Sequence, residues 1–293
     1  MQPTMIVFSH LRWSSVYQRP QHLLSRLADH YEIYFFEEPE QKPEAPRLEI
    51  HEAARGVHVC RPLVSSPAAG FHDDHIPVLR KLLADLVRQR KLEHSILWFY
   101  SPMALPLAQG LDPCAVVYDC MDELSAFMNA PRQLQQRESA LLKIADLVFT
   151  GGPSLYRSKR SRHPAVHCFP SSVDREHYAS AIDARNDHEE QAALPRPRLG
   201  YFGVIDERVD LEVLAQLATA NPHWQIAMVG PVVKIQPSAL PRRPNIHYFG
   251  QRHYDELPRF LAGWDVALMP FALNEATEFI SPTKTLEYMT SER

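Results

Sequence analysis

Three acidic residues fall within five positions in the stretch Asp-Cys-Met-Asp-Glu at residues 119–123. The stretch follows an apolar run that is typical of a buried strand. Carboxylates are costly to hold at such a position unless they are used, and there they can accept sugar hydroxyls or act as a general base. We therefore take Asp119 and Asp122 as candidate catalytic residues. The alternative is that Asp122 caps a helix and Glu123 interacts favourably with the helix dipole.

A second stretch with chemical potential begins at Ser281. Ser281 is a favourable N-cap and Pro282 a favourable first helical residue, so a helix is predicted to start there. Lys284 then lies in the first turn, where the helix dipole disfavours a cation unless an anion is bound. Backbone N–H groups near Thr283, together with Lys284, would face a diphosphate, and Glu287 on the same face could hold ribose hydroxyls. The alternative is a simple Lys284–Glu287 surface pair.

The remaining candidates also follow predicted strands. His10 and Arg19 lie in the polar, aromatic stretch after the first strand, which suits a substrate that carries hydroxyls or an anion. Gly203 closes a later strand, where glycine lets a ligand approach the backbone, and Arg208 could pair with a phosphate. The alternatives are a loop packed by its own aromatic residues and a surface arginine beside two acids. All four residues are candidate substrate-binding residues.

These candidates belong to a chain in which short apolar runs alternate with helical patterns, which predicts βαβ units and parallel sheets. The predicted strands are 5–9, 32–37, 57–62, 95–99, 115–118, 147–150, 166–169, 198–202, 225–229, 246–249 and 266–269, and the main predicted helices are 20–29, 77–92, 132–145, 210–219 and 254–262. Residues 181–197 are polar and end in Pro-Arg-Pro, which suggests a linker. The predicted domains are 1–180 and 198–293. Ligands are expected at the carboxyl ends of the strands, in a cleft between the two domains.

Composition excludes several classes of protein. The chain has 293 residues, 45% of them apolar, and a formal net charge of -4, which is typical of a globular protein and poor for general nucleic-acid binding. No apolar stretch is long enough to span a membrane, and the first residues lack the pattern of a signal peptide. Four cysteines without a CxxC pair predict reduced thiols in a cytoplasmic protein.

Cofactor and metal motifs are missing from the sequence. There is no GxGxxG fingerprint, no GxxxxGK[ST] phosphate loop and no DxD motif. The histidine-containing stretches 72–75 and 163–167 could hold a metal by spacing alone, but both lie in loop-like sequence, so no metal site is predicted.

Two basic runs raise the hypothesis of peripheral contact with the cytoplasmic face of the inner membrane. They comprise Arg80, Lys81, Arg88, Arg90 and Lys91 in the helix predicted at 77–92, and Arg157, Lys159, Arg160 and Arg162. The alternative is an ordinary solvated helix face.

Several short motifs, in this order and spacing, resemble those of GT-B fold glycosyltransferases of the family 4-like (group 1) type, which build bacterial exopolysaccharide and cell-wall glycans. They are Gln18-Arg19-Pro20-Gln21-His22-Leu23, 118–123, Pro170-Ser171-Ser172-Val173-Asp174, Gly200-Tyr201-Phe202-Gly203, 265–270 and 281–289. The resemblance implies two Rossmann-like doubly wound domains, with a nucleotide-sugar on the second and the acceptor on the first.

The resemblance also implies roles for residues at the matching positions. Glu287 matches the second glutamate of the family's E-x7-E motif and implies a ribose contact, whereas the first would fall at Phe279. Glu275 and Glu278 are nearby but out of register. Asp122 matches the aspartate of the family's His-Asp pair, with Met121 in place of the histidine.

The phosphate-binding pair of the family is half present. Arg208 matches its arginine, Val213 stands where a lysine is usual, and Lys284 is the candidate replacement. The implied reaction is metal-independent transfer of a sugar, with retention of configuration, from a UDP- or GDP-sugar to a glycan or lipid-linked acceptor. The nucleotide-sugar is a substrate, so no cofactor is expected. The rival hypotheses are a GT-B fold sugar-nucleotide epimerase and a non-catalytic two-lobed binding protein.

The second domain contains fewer predicted strands than the first. Members of the resembled family continue beyond the helix that carries Glu287 with further βα units. The sequence therefore predicts an incomplete second domain, shortened at its C-terminus, that leaves apolar surface of its sheet uncovered.

Overall fold

A computed structural model describes residues 2–127, 130–274, 277, 280 and 282–292. The chain divides into two units, Met1–Pro170 and Ser171–Arg293. Each unit is built on its own largely parallel β-sheet covered by helices. Within the described residues, no helix combines the length and the apolar character needed to cross a bilayer.

The first unit contains a nine-stranded sheet. Its strands are β1 (Thr4–Ser9), β2 (Glu32–Glu37), β3 (Glu40–Gln41), β4 (Arg47–Ala54), β5 (Val57–Val64), β6 (Ile96–Phe99), β7 (Ala115–Cys120), β8 (Leu147–Thr150) and β9 (Val166–Cys168), and its α-helices are α1 (Arg19–Leu27), α2 (Ile76–Arg90), α3 (Leu134–Ile144) and α4 (Pro153–Lys159). The order is β3-β5-β2-β1-β6-β7-β8-β9, and β4 pairs with β5. All pairings are parallel except β4 with β5.

The centre of this sheet is buried on both faces. The consecutive residues Ile6, Val7 and Phe8 of β1 are each at most 1% exposed, although alternate side chains point to opposite faces. Phe8 stacks on Phe99 of β6 with ring centroids 4.8 Å apart. Such runs are typical of parallel strands covered by helices, which is why the sequence predicts them correctly.

The hairpin of β4 and β5 shows where sequence patterns fail. The sequence predicts β5 but not β4, whose side chains are mostly exposed. A strand on the rim of a sheet needs no apolar face, so it leaves no hydrophobic pattern to detect. The turn before β5 uses Gly56 at φ +73, a conformation that favours glycine.

The second unit contains a four-stranded parallel sheet within the described residues. Its strands are β10 (Arg198–Phe202), β11 (Gln225–Val229), β12 (Ile246–Gly250) and β13 (Val266–Ala267), in the order β12-β11-β10-β13, and its helices are α5 (Arg175–Ala179), α6 (Glu189–Ala192), α7 (Leu211–Ala220), α8 (Leu257–Ala262) and α9 (Thr283–Thr290). Both units also contain short 3-10 helices. In the first unit they lie at Asp73–His75, Pro102–Ala108 and Leu124–Ala126, and in the second at Ser180–Ile182, Ala184–Asn186, Pro237–Ala239 and Tyr254–Glu256.

The observed division differs from the predicted domains 1–180 and 198–293 and from the predicted linker 181–197. The chain divides after Pro170, and the residues from Ser171 onward belong to the second unit. Tyr178 and Ala181 are fully buried in the core of the second unit, and Gln191 donates to the Phe260 carbonyl at 2.7 Å. A polar segment can therefore be a folded part of a domain when its few apolar side chains cover a sheet.

Candidate functional site

The carboxyl end of β10 meets the start of α9 in the second unit. Gly203 follows β10 with φ +148, and its N–H donates to the Val229 carbonyl at 2.8 Å. A Cβ added at Gly203 would lie 2.7 Å from the Tyr201 hydroxyl oxygen and 3.4 Å from Cε of Lys284. The missing side chain therefore allows Lys284 to lie against the backbone at the end of the strand.

We expect Gly203→Ala to lower the free energy of unfolding of the second unit by about 1–3 kcal/mol, because it adds backbone strain and a steric clash. Gly250→Ala is the matched control, since Gly250 also has a positive φ, +72, but a Cβ there meets no heavy atom within 4 Å. Urea-induced unfolding followed by circular dichroism would compare the two variants. Equal destabilisation would show that the close approach at Gly203 is unimportant.

The helix that carries Lys284 begins one residue later than predicted. Thr283 is the first residue of α9, and Pro282 occupies the N-cap position with φ -72 and ψ 112. The prediction that Pro282 is the first helical residue is therefore wrong, because its ψ is extended. Ser281, the predicted N-cap, lies outside the described residues. Lys284 nevertheless lies in the first turn of the helix, as predicted.

Lys284 and Glu287 form an ion pair in which Nζ lies 3.0 Å from Oε2. The Glu287 side chain is only 6% exposed and that of Lys284 21%, so the pair is not the surface pair considered as an alternative. The Lys284 ammonium ion also lies 5.1 Å from the centroid of the Phe202 ring, within the range of a cation–π contact. A cation that is largely shielded from water attracts an anionic ligand more strongly than a fully exposed cation does.

The Glu287 carboxylate has a further neighbour that the sequence did not single out. Burial raises the pKa of Tyr178 in α5, and Glu287 and Tyr254 raise it further. The Tyr178 phenol therefore keeps its proton beside the carboxylate. Tyr178 was missed because the residue lies in a segment that sequence patterns assign to the other domain. Glu275 and Glu278, the other glutamates considered, lie outside the described residues, as does Phe279.

Arg208 lies on the loop after β10, as predicted. Its Nε and Nη2 donate to Asp206 Oδ1 and Oδ2 at 2.8 and 2.7 Å, and Asp206 is almost fully buried. Asp206 therefore holds the guanidinium group in one orientation. Burial raises the pKa of Tyr201, Arg208 opposes this shift, and Asp206 and Glu287 add to it. The charges of Arg208 and Glu287 thus both act on the pKa of the Tyr201 phenol.

In the first unit, Asp119 and Arg19 form a buried pair at the carboxyl end of β7. Arg19 Nε donates to both oxygens of Asp119 at 3.1 Å, and Nη2 donates to Oδ1 at 2.9 Å. Burial lowers the pKa of Arg19, but Asp119 more than offsets this, so the pKa is raised. Asp119 is 0% exposed. This placement favours a positioning role for Asp119 over the predicted catalytic role.

Asp122 lies beyond β7 in a half-buried loop. Glu123, not Asp122, occupies the N-cap position of the 3-10 helix Leu124–Ala126, and it makes no capping hydrogen bond there. Glu123 instead accepts from Lys159 Nζ at 2.7 Å and from the Ser125 hydroxyl at 2.8 Å. The capping alternative for Asp122 therefore does not hold, and the loop that carries Asp122 is anchored through Glu123.

His10 follows β1 and is half-buried. β6 lies between β1 and β7 in the sheet, so the strands that precede His10 and Asp122 are about 10 Å apart, two strand spacings. Both residues belong to the carboxyl edge of the first sheet. The structure thus places His10, Arg19 and Asp122 along one edge, with Arg19 contacting β7.

A buried glutamate missed by sequence patterns organises the first loop. Glu37, at the end of β2, accepts from Arg12 Nη1 at 3.0 Å, Arg61 Nε at 2.8 Å and the Trp13 N–H at 2.7 Å. Its partners lie on two segments of the chain, the loop after β1 and strand β5. The available signal was an acid directly after the apolar run Ile33–Phe36, at the carboxyl end of β2.

Glu38 beside it should make stability depend on pH. Burial raises the pKa of Glu38 to about 7 from 4.5, against the opposing effects of Arg12 and a backbone hydrogen bond from Phe71. Between these two values the folded chain keeps a proton that the unfolded chain has lost. Stability should therefore fall as pH rises from about 4.5 to 7. We expect Glu38→Gln to weaken this fall in urea-unfolding midpoints measured at pH 5 and pH 8. An unchanged difference between the two midpoints would contradict the assignment.

No family model matches the chain. In sequence, the chain is similar to TuaH of Bacillus subtilis (strain 168), a proposed teichuronic acid biosynthesis glycosyltransferase, with 23% identity over 214 residues. The match covers 67% of this chain and 53% of that protein, so the chain spans about half the length of this curated relative. The predicted shortening of the second unit stays a prediction.

In three dimensions the chain is similar to a sucrose-phosphate synthase from Thermosynechococcus elongatus, with a TM-score of 0.70, 16% identity, and coverage of 93% of this chain and 77% of that one. It is also similar to an E. coli trehalose-6-phosphate structure bound with UDP-2-fluoro glucose, with a TM-score of 0.62, 13% identity, and coverage of 98% and 81%. The chain has the GT-B fold.

The GT-B fold confirms the parallel α/β units predicted from strand–helix alternation and the Rossmann-like fold that the family resemblance implies. In α/β sheets of this kind, ligands bind outside the carboxyl ends of the strands. Gly203, Lys284 and Glu287 lie at that edge in the second unit, and Arg19 and Asp122 at that edge in the first. Among the described residues, no group of three His, Cys, Asp or Glu side chains is placed to hold a metal ion.

Proposed function

We propose that this GT-B chain acts in a glycosyltransferase that moves a hexosyl group from a UDP- or GDP-sugar to a glycan or lipid-linked acceptor. The observation that carries the proposal is the desolvated Lys284–Glu287 pair against Gly203 at the start of α9. A cation held at a helix N-terminus is suited to a diphosphate, because the backbone N–H groups and the helix dipole favour the same anion.

Each residue of this edge has a proposed role. Lys284 neutralises the diphosphate as it becomes the leaving group, with N–H groups near Thr283 and the guanidinium of Arg208 in support. Glu287 accepts hydrogen bonds from ribose hydroxyls, and Gly203 gives the donor room beside the backbone. No metal ion is required in this scheme, since the positive charges come from side chains and the helix.

The acceptor is proposed to bind at the carboxyl edge of the first sheet, near His10 and Arg19. Asp122 is a partly exposed acid of this edge and the candidate for a catalytic role there. Two relationships support the reaction class: the name of the sequence relative, and the UDP-2-fluoro glucose bound in the trehalose-6-phosphate structure. The same relative supports a role in cell-wall or exopolysaccharide synthesis and favours transfer over epimerisation.

The test is binding followed by turnover. Calorimetric titration with UDP and GDP should show binding of one of them, and Lys284→Ala should weaken it at least tenfold. Incubation of the matching nucleotide-sugar with a glycan acceptor should then release the nucleoside diphosphate faster than without acceptor. Release that is independent of acceptor would contradict transfer, and binding without any turnover would favour a non-catalytic binding protein.

Contact with the cytoplasmic face of the membrane is a separate part of the proposal. The fold reduces the number of basic residues that are available for it. Lys159 is buried between Glu123 and Glu138, and Arg162 pairs with Glu138, so these two residues are engaged within the first unit. The apolar stripe of α2 is buried as well. Contact would therefore rest on the exposed basic residues of α2 and on Arg157 and Arg160, which are also exposed. Cosedimentation with anionic liposomes at low salt tests it, and no binding would refute it.

A further inference from the structure

One aromatic side chain is unusually open at the carboxyl edge of the first sheet. Phe169 lies one residue beyond β9 and is 55% exposed. Its ring packs edge-to-face against Phe149, with centroids 5.2 Å apart and planes at 84°. Phe149 in turn contacts Trp98, with centroids 5.5 Å apart. The Phe169 ring is thus packed against Phe149 in a residue that as a whole is more than half exposed.

Arg19 connects this ring to the rest of the edge. Its Nη1 donates to the Phe169 carbonyl oxygen at 2.8 Å, while Nε and Nη2 donate to Asp119. A guanidinium group has five N–H donors, so these contacts leave one N–H on Nη1 and one on Nη2 among the described residues. The Arg19 side chain is 20% exposed. Asp119 fixes the orientation of these two donors and offsets the positive charge.

We propose that Phe169 and Arg19 form a binding subsite for one neutral hexose ring of the acceptor. The apolar C–H face of the sugar would stack on the open part of the Phe169 ring. Sugar hydroxyl oxygens would accept hydrogen bonds from the two remaining N–H groups of Arg19. Because Asp119 offsets the charge of Arg19, the subsite suits hydroxyls better than a carboxylate or phosphate. This inference rests on the proposed function, since it names the chemistry of the acceptor.

Saturation-transfer difference NMR with methyl glucoside tests the subsite without requiring turnover. We expect the signal seen with the unaltered chain to fall at least fivefold in Phe169→Ala and to persist in Phe169→Trp, which keeps an aromatic face. Ile144→Ala is the matched control, since Ile144 at the end of α3 is 51% exposed and the loss of apolar surface is similar. This control should retain the full signal.

The outcomes separate this inference from the proposed function. Equal signals from Phe169→Ala and the unaltered chain, or no signal from any variant, would overturn the subsite. Affinity for UDP or GDP, measured on the same Phe169→Ala protein, should be unchanged. If the chain binds the glucoside through Phe169 but binds neither nucleotide, the subsite is supported and the proposed transferase function fails.

Discussion

Lys284→Ala is expected to lower kcat for sugar transfer by about 10²–10³-fold, the loss typical of removing one preorganised group that stabilises charge in a transition state. The ammonium ion sits at the start of α9 with little water around it, so the leaving diphosphate would lose both a charge and a contact. Steady-state kinetics with the nucleotide-sugar that binds, at saturating acceptor, would measure this effect.

This substitution also leaves the Glu287 carboxylate buried without its partner, and an unpaired buried charge destabilises a fold. A loss of activity through unfolding of the second unit must therefore be distinguished from a loss of catalysis. The double variant Lys284→Met/Glu287→Gln controls for this effect, because it removes both charges and keeps similar volumes. We expect its thermal midpoint to be closer to that of the unaltered chain than the midpoint of Lys284→Ala. Its transfer rate should remain low. Recovery of activity in the double variant would show that Lys284 serves stability alone.

Lys159→Met should lower the free energy of unfolding of the first unit by about 3–5 kcal/mol, because it breaks a buried ion pair and leaves its partners charged. Lys159 is 1% exposed, and its Nζ lies 2.7 Å from Glu123 Oε2 and 2.6 Å from Glu138 Oε1. Urea-induced unfolding followed by circular dichroism would measure the loss. Lys81→Met, at an exposed position of α2, is the control and should change stability by less than about 0.5 kcal/mol.

The same cluster predicts a dependence on acid. Burial alone would raise the pKa of Glu138, but Lys159 and Arg162 outweigh it, so the pKa is lowered from 4.5. A lowered carboxyl pKa stabilises the fold above the unfolded value and loses this contribution as pH falls through the folded value. The double variant Lys159→Met/Glu138→Gln should be more stable at neutral pH than Lys159→Met, because it leaves no buried carboxylate at position 138. On acidification it should lose less stability than the unaltered chain, because position 138 no longer takes up a proton. No recovery would assign the effect of Lys159→Met to packing.

Much of the fold follows from local sequence patterns. Consecutive apolar residues such as Ile6, Val7 and Phe8 predict interior parallel strands, because both faces of such a strand are covered. β4 was not predicted, since an exposed rim strand has no apolar face. The segment 181–197 is polar and therefore resembles a linker in sequence, although a few of its side chains, including Gln191, are buried in the second unit.

The candidate site divides in the same way. The spacing of Lys284 and Glu287 places them on one face of any helix, so their pairing is predictable from sequence. That the pair is buried beside Phe202 and Gly203 depends on where α9 packs, which no local pattern records.

Asp119 and Arg19 show the limit most clearly, since 100 residues separate them in the chain. The sequence by itself determined which segments are apolar, which residues carry charge and which side chains share a helical face. Only the tertiary structure decided that the carboxylate predicted to be catalytic is enclosed and paired with an arginine. The physical reason is that hydrophobic burial is periodic along a strand or helix, whereas the pairing of distant charges depends on the order of strands in the sheet.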